Sequence, residues 1–89
     1  MGNRIFTDFY LSEAAGLHMI LNIGHPELAY IEPLRINETG AFVYKLLDSG
    51  NSVDEVIKRV SSEYGISEDN AREDVTEFVI KLRDFGVNV

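Results

Sequence analysis

The sequence predicts an α+β domain in which a small antiparallel sheet precedes three helices. Two observations carry this. Apolar residues alternate with period two before Asn37, then recur every three or four residues up to the C-terminus. The second half also divides into three stretches, each opened by a capping residue and closed by a glycine.

The strands come first. Arg4 to Leu11 offers Ile5, Phe6, Phe9, Tyr10 and Leu11, a pattern that fits neither period, and residues 1–8 are expected to be loosely ordered. Residues 12–16 hold a turn or the end of a first strand. Residues 17–23 are clearer, because Leu17, Met19, Leu21 and Ile23 share one face of a strand. Gly24, His25, Pro26 and Glu27 read as a turn, since Pro26 fixes its own φ and biases His25 toward extended backbone. Residues 28–36 read as the returning strand. Pro33 within it cannot donate to a ladder, which marks an edge strand or a break before the hinge. An edge strand leaves backbone groups unpaired, as a liability or as a binding site.

At the hinge, Asn37 closes the strand region and caps a helix over Glu38–Asp48, with Glu38 in its first turn where the helix dipole favours a carboxylate. Gly50 is its left-handed terminator. Ser52 and Glu55 form a capping box for a second helix, whose stripe is Val53, Val56, Ile57, Val60 and Tyr64 and whose end is Gly65. Ser67 caps the third, with stripe Ala71, Val75, Phe78, Val79, Leu82 and Phe85, closed by Gly86. The short Gly65-Ile66-Ser67 link gives the second and third helices a helix-turn-helix character. The whole is expected to be winged helix-turn-helix-like: an N-terminal three-stranded antiparallel sheet followed by three helices.

Composition narrows function. At 89 residues the chain makes one domain, 1–89, with one modest core. No apolar run approaches the roughly 20 residues of a transmembrane helix, so no membrane partner is expected. With no cysteine there are no thiolate metal sites or disulfides. No signal segment is visible, and a cytoplasmic protein is expected. Fifteen acidic against eight basic residues give a net charge of −7, which works against nucleic-acid binding. His18 and His25 read as a strand and a turn position, without the spacing of metal ligands. There is no phosphate loop and no nucleophile with a paired base, so neither catalysis nor a cofactor is expected.

The run Ile36-Asn37-Glu38-Thr39-Gly40-Ala41 followed by Leu46-Leu47-Asp48 resembles the "LNETGA…LLD" hinge of the pyrroloquinoline-quinone synthesis protein D family, the PqqD-like proteins. Ser52-Val53-Asp54-Glu55-Val56 and Glu63-Tyr64-Gly65-Ile66 resemble that family's second helix and its exit. Asp74-Val75-Thr76-Glu77-Phe78 and Lys81-Leu82-Arg83-Asp84-Phe85-Gly86-Val87 resemble its third. The match runs from about Phe9 to Val89. Tyr44 stands where the family often has Trp, and Pro33 interrupts the strand corresponding to the family's binding edge.

The resemblance implies a recognition element for ribosomally made, post-translationally modified peptides. Such proteins bind the leader of a precursor peptide and present it to a modifying enzyme, commonly a radical S-adenosylmethionine (SAM) enzyme. The leader adds as a strand to the sheet edge and lies against the third helix, so backbone hydrogen bonds give affinity and alternate side chains give specificity. The implied edge is Leu28, Ala29, Tyr30, Ile31, Glu32, Pro33 and Leu34. On the third helix Arg72, Val75, Thr76, Val79, Ile80 and Arg83 lie on or beside the core stripe. Ile80 falls about 180° from Ala71, where a solvated helix is usually polar. Val79 and Ile80 would form an apolar floor, with Arg72 and Arg83 beside it for acidic leader residues. The same unpaired edge could instead join two copies as a homodimer. The alternative is a winged-helix DNA-binding transcriptional regulator. Glu68, Asp69, Glu73, Asp74, Glu77 and Asp84 outnumber Arg72, Lys81 and Arg83 on the helix that would have to read the DNA.

Overall fold

A computed structural model describes residues 4–24 and 32–89. The elements run β1 (Phe9–Ala14), β2 (Leu17–Asn22), β3 (Leu34–Ile36), α1 (Glu38–Asp48), α2 (Val53–Tyr64) and α3 (Glu68–Phe85). The three strands form one antiparallel sheet in the order β1-β2-β3.

The helices begin and end where local chemistry requires. Asn37 accepts the Gly40 amide at 2.7 Å, and Ser67 accepts the Asn70 amide at 3.1 Å. Ser52 and Glu55 close a reciprocal box, with the Ser52 amide 2.8 Å from Glu55 Oε1 and the Glu55 amide 3.1 Å from Ser52 Oγ. Each bond satisfies a donor that the helix cannot. β1 and β2 meet through a two-residue turn, Ala15 and Gly16, both left-handed at φ +54° and +78°. That geometry matches the twist of a hairpin, although Ala15 is a poor occupant of it.

One side of the sheet packs on the helices. Phe9, Leu11, Ile20, Leu34 and Ile36 face inward and join Val43, Tyr44, Leu47, Val56, Ile57, Val60, Val75 and Leu82 in the core. The apolar row of β2 is not its buried one. Leu17, Met19, Leu21 and Ile23 do share a face, but it points away from the helices, while Ile20 on the other face is wholly buried. Alternation sorts residues into two rows without saying which row is inside. Here β2 is the central strand. Ile20 sits between Leu11 and Leu34 directly over the core, so one large side chain there suffices.

The returning strand is shorter than expected. Glu32 and Pro33 precede it, exposed and outside the sheet, and pairing starts at Leu34. Pro33 has no amide hydrogen to give to a ladder. The expected strand residues Leu28, Ala29, Tyr30 and Ile31 lie outside the described residues, as do His25, Pro26 and Glu27 of the expected turn.

Residues 4–8, expected to be loosely ordered, are tied to the end of α1. Asp48 Oδ1 accepts the Ile5 and Phe6 amides at 3.0 and 2.8 Å, and Oδ2 accepts Arg4 Nε at 2.8 Å. Arg4 also donates to the Phe6 and Phe9 carbonyls. Phe6 packs against Tyr44 with ring centroids 5.4 Å apart. Tyr44 is an aromatic core anchor, 1% exposed, and its hydroxyl makes no hydrogen bond among the described residues. Burial, and secondarily the Asp48 carboxylate, push that hydroxyl's pKa up, so it stays protonated. No helix among the described residues is long and apolar enough to cross a membrane.

Candidate peptide-binding edge and groove

Strand β3 is an edge of the sheet: among the described residues it pairs with β2 alone. Its last residue, Ile36, lies at a groove of about 230 Å³ that opens between β3, the first turn of α1 and the flank of α3. Ile36, Val43 and Phe78 supply its apolar lining. Exposed Asp74, Glu77 and Lys81 form the α3 wall, and Asn37, Thr39 and Gly40 close it at α1.

Gly40 explains why the hinge carries a glycine at this point. A Cβ there would stand 2.8 Å from Phe78 Cε1 and 3.3 Å from Ile36 Cβ. Its lack of a side chain lets α1 approach α3 closely and keeps the groove floor open.

The sequence placed the α3 contribution on the other flank. With about 100° per residue, Asp74, Glu77 and Lys81 fall roughly 100–160° to one side of Val75, whereas Arg72, Thr76, Ile80 and Arg83 fall roughly 60–140° to the other. The exposed Arg72 guanidinium lies 3.6 Å from Asp54 of α2, and Arg83 Nε donates to the Val89 carbonyl at 3.1 Å. That flank therefore faces α2 and the C-terminal end, not β3. Val75 and Val79 are buried at 0% and 6% exposure, so they support the groove from behind and offer it no open surface. Ile80 is 51% exposed, and it too lies away from the groove. Among the groove's lining, the sequence reading did not place Ile36, Gly40, Asp74, Glu77, Phe78 and Lys81 at the binding edge. The available signal was the hinge glycine, since a glycine in a helix's first turn marks a close approach by a neighbour.

A second concavity of about 190 Å³ lies across the fold, lined in part by Arg4, Tyr44, Asp48, Glu13 and Lys45. Its charges are already matched. Glu13 accepts Lys45 Nζ at 2.7 Å and lies 2.8 Å from His18 Nδ1, and the lysine contact above all holds the Glu13 carboxyl below its usual range. This cluster fastens the sheet to α1. Among the described residues, no group of three or more His, Cys, Asp or Glu side chains is placed to hold a metal ion.

Residues 19–87 match the family model described as coenzyme PQQ synthesis protein D, PqqD. The chain belongs to the PqqD family. The match spans β2, β3 and all three helices, and so includes both walls of the groove. Two solved structures share the PqqD-like fold. A lasso peptide synthetase B1 complexed with its leader peptide is 21% identical, with TM-score 0.75, over 92% of this chain and 91% of that one. TbiB1 in complex with the TbiA(beta) leader peptide is 14% identical, with TM-score 0.74, over 94% and 92%. No curated protein matches the chain. The PqqD-like fold is thus a three-stranded sheet with three helices on one side, for which "winged helix" is only a loose description.

Proposed function

We propose that this chain is a non-catalytic binding module that takes the leader of a ribosomally made precursor peptide as a fourth strand on β3 and presents it to a modifying enzyme. The observation that carries the reading is the coincidence of an unpaired strand edge with an apolar-floored groove on its α3 side. An added strand would satisfy the β3 backbone while its alternate side chains reach Ile36, Val43 and Phe78. The two similar folds that hold leader peptides support the same use of this architecture. The module needs no cofactor of its own. The enzyme class that the family resemblance implies is radical SAM, and the setting is the cytoplasm, where newly made peptide is delivered.

The binding residues in this reading are Leu34, Arg35 and Ile36 on the edge with Asp74, Glu77, Phe78 and Lys81 on α3. An amide-resolved NMR titration with the precursor peptide encoded nearest to this chain tests it. Shifts should concentrate on residues 34–36 and on the 74, 77, 78 and 81 face of α3. Glu77→Lys should change leader affinity by about fivefold or more, an effect of about 1 kcal/mol at a groove wall, while Arg72→Glu on the opposite flank stays within about twofold. Shifts confined to Arg72, Thr76, Ile80 and Arg83 would move the site to the other flank. Absence of shifts both with and without the enzyme would reject peptide binding.

A further inference from the structure

Among the described residues, the outward face of the sheet takes no part in the core. Tyr10 lies opposite Leu21 across the β1–β2 ladder, and Leu17 and Met19 continue the same row, with Ile23 just past the strand end. Tyr10, Leu17 and Ile23 are 52%, 44% and 54% exposed. The one charged side chain the strands place on this face is Arg35, opposite Met19. Arg35 is exposed and makes no ion pair or hydrogen bond among the described residues. Within a chain of net charge −7, the strands offer here an apolar face with a single unmatched cation and no carboxylate.

Scattered exposed apolar residues need no explanation, but a contiguous row across two strands does. A second copy of the chain is a poor occupant for two reasons. Three strands of this length make a footprint of roughly 20 by 14 Å, about 300 Å², against about 800 Å² per partner in a stable interface. Pairing two such faces would also bury two guanidinium groups with no carboxylate from either sheet to meet them. The occupant must supply an acid opposite Arg35 and must reach beyond the three strands. The continuous extension lies past Arg35, across β3, where the added peptide strand would widen the same face.

We infer that this outward face docks the enzyme that acts on the bound peptide, through an apolar surface of that enzyme bordered by a carboxylate opposite Arg35. The inference rests on the reading of the chain as a leader carrier. It gives the module two separate surfaces: the groove side of the added strand belongs to this chain, and its outward side lies with Tyr10, Met19, Leu21 and Arg35 in one composite surface. Leader and enzyme then bind cooperatively, since each enlarges the surface offered to the other.

The test uses the full chain and the purified modifying enzyme encoded beside it, with and without the nearest precursor peptide. Met19→Lys, Leu17→Lys and Arg35→Glu replace side chains on the sheet's outward face, and thermal melting checks that the fold is kept. Each should weaken enzyme binding by about tenfold or more, and in Met19→Lys and Leu17→Lys, which lie one strand in from the peptide edge, leader affinity should stay within about twofold. Enzyme binding unchanged in all three variants overturns the inference. So does sedimentation showing wild-type dimers that Met19→Lys dissociates, because the occupant is then a second copy. Leader affinity lost together with enzyme affinity in Met19→Lys or Leu17→Lys also overturns it, since the face would then belong to the peptide site. A wild-type chain that binds the enzyme through this face but never the leader sustains the docking surface and sinks the peptide reading.

Discussion

Removing the Asp48 carboxylate should detach the N-terminal segment from the domain. Asp48 is 8% exposed, and its Oδ1 alone accepts two backbone amides, from Ile5 and Phe6. Hydrogen bonds to a charged acceptor are worth about 1.5–3 kcal/mol each. The Ile5 amide keeps a second acceptor, the Asp48 carbonyl at 2.9 Å, so its loss belongs at the low end. The Arg4 side chain is 43% exposed, and that ion pair adds only about 0–1 kcal/mol after solvent screening. Asp48→Ala should therefore cost about 3–5 kcal/mol, a large share of the roughly 4–13 kcal/mol expected for a domain this size. Asp48→Asn is the discriminating control. Its carbonyl oxygen can stand at the Oδ1 position and keep both amide bonds as neutral ones, so the Arg4 contact and the acceptor's charge are lost, at about 1–3 kcal/mol. Urea unfolding at neutral pH reads the difference as a lower midpoint with unchanged slope. A loss below about 1 kcal/mol for Asp48→Ala would refute the reasoning, as would an Asn variant as damaging as the Ala.

Three further outcomes follow from single residues. Ala15→Asn should raise stability by about 1 kcal/mol and the melting temperature by about 4–8 °C, because it turns a left-handed Ala-Gly turn into the favoured Asn-Gly; an unchanged melting curve would count against strain at φ +54°. Gly40→Ala should cost about 1–3 kcal/mol and lower leader affinity as well, since its methyl would stand 2.8 Å from Phe78; urea unfolding and the NMR titration read the two effects separately. The Ser52 backbone amide, and then its hydroxyl, hold the Glu55 carboxyl below its ordinary value of 4.5. Its folded pKa is the lower one, so its contribution is complete above pH 4.5 and is lost as pH falls through the folded value; Glu55→Gln should flatten the acid limb of the stability curve below that pH.

The helices were legible because their signals are local. Asn37, Ser52 and Ser67 each bond an amide three residues on, and Gly65 and Gly86 take left-handed conformations that other residues resist. Nothing beyond the neighbouring turn enters those decisions. The sheet and the site were legible only up to a symmetry. Period two grouped Leu17, Met19, Leu21 and Ile23 correctly, yet the row that enters the core contains Ile20 between His18 and Asn22, and on composition it looks the weaker candidate. The stripe of α3 was likewise found, but a stripe has two flanks. Which of them meets β3 depends on how the helices pack: the groove opens on the flank of Asp74, Glu77 and Lys81, while Arg72 on the other lies beside Asp54 of α2. In both cases periodicity fixed which residues stand together, and long-range packing decided where they face.

Which way the apolar row of β2 faces has a consequence for how such a module can work. Had the apolar row of β2 turned inward, the sheet would offer a peptide only its edge, and the outward face would carry the polar row of His18 and Asn22. Because Ile20, with Leu11 and Leu34 on either side, is enough to seal the core, the larger row is free to stay outside. A strand added beside β3 has the same alternation, so its side chains divide between the groove and the outward face. One set would be read by Ile36, Phe78 and the acidic wall of α3, and the other would lie alongside Arg35 and Met19. A leader bound in this way is only half covered by its carrier. The half left open is the part a second protein can inspect, and a one-residue slip of the leader would exchange the two sets. Carrier and enzyme together would then reject a register that neither could reject alone.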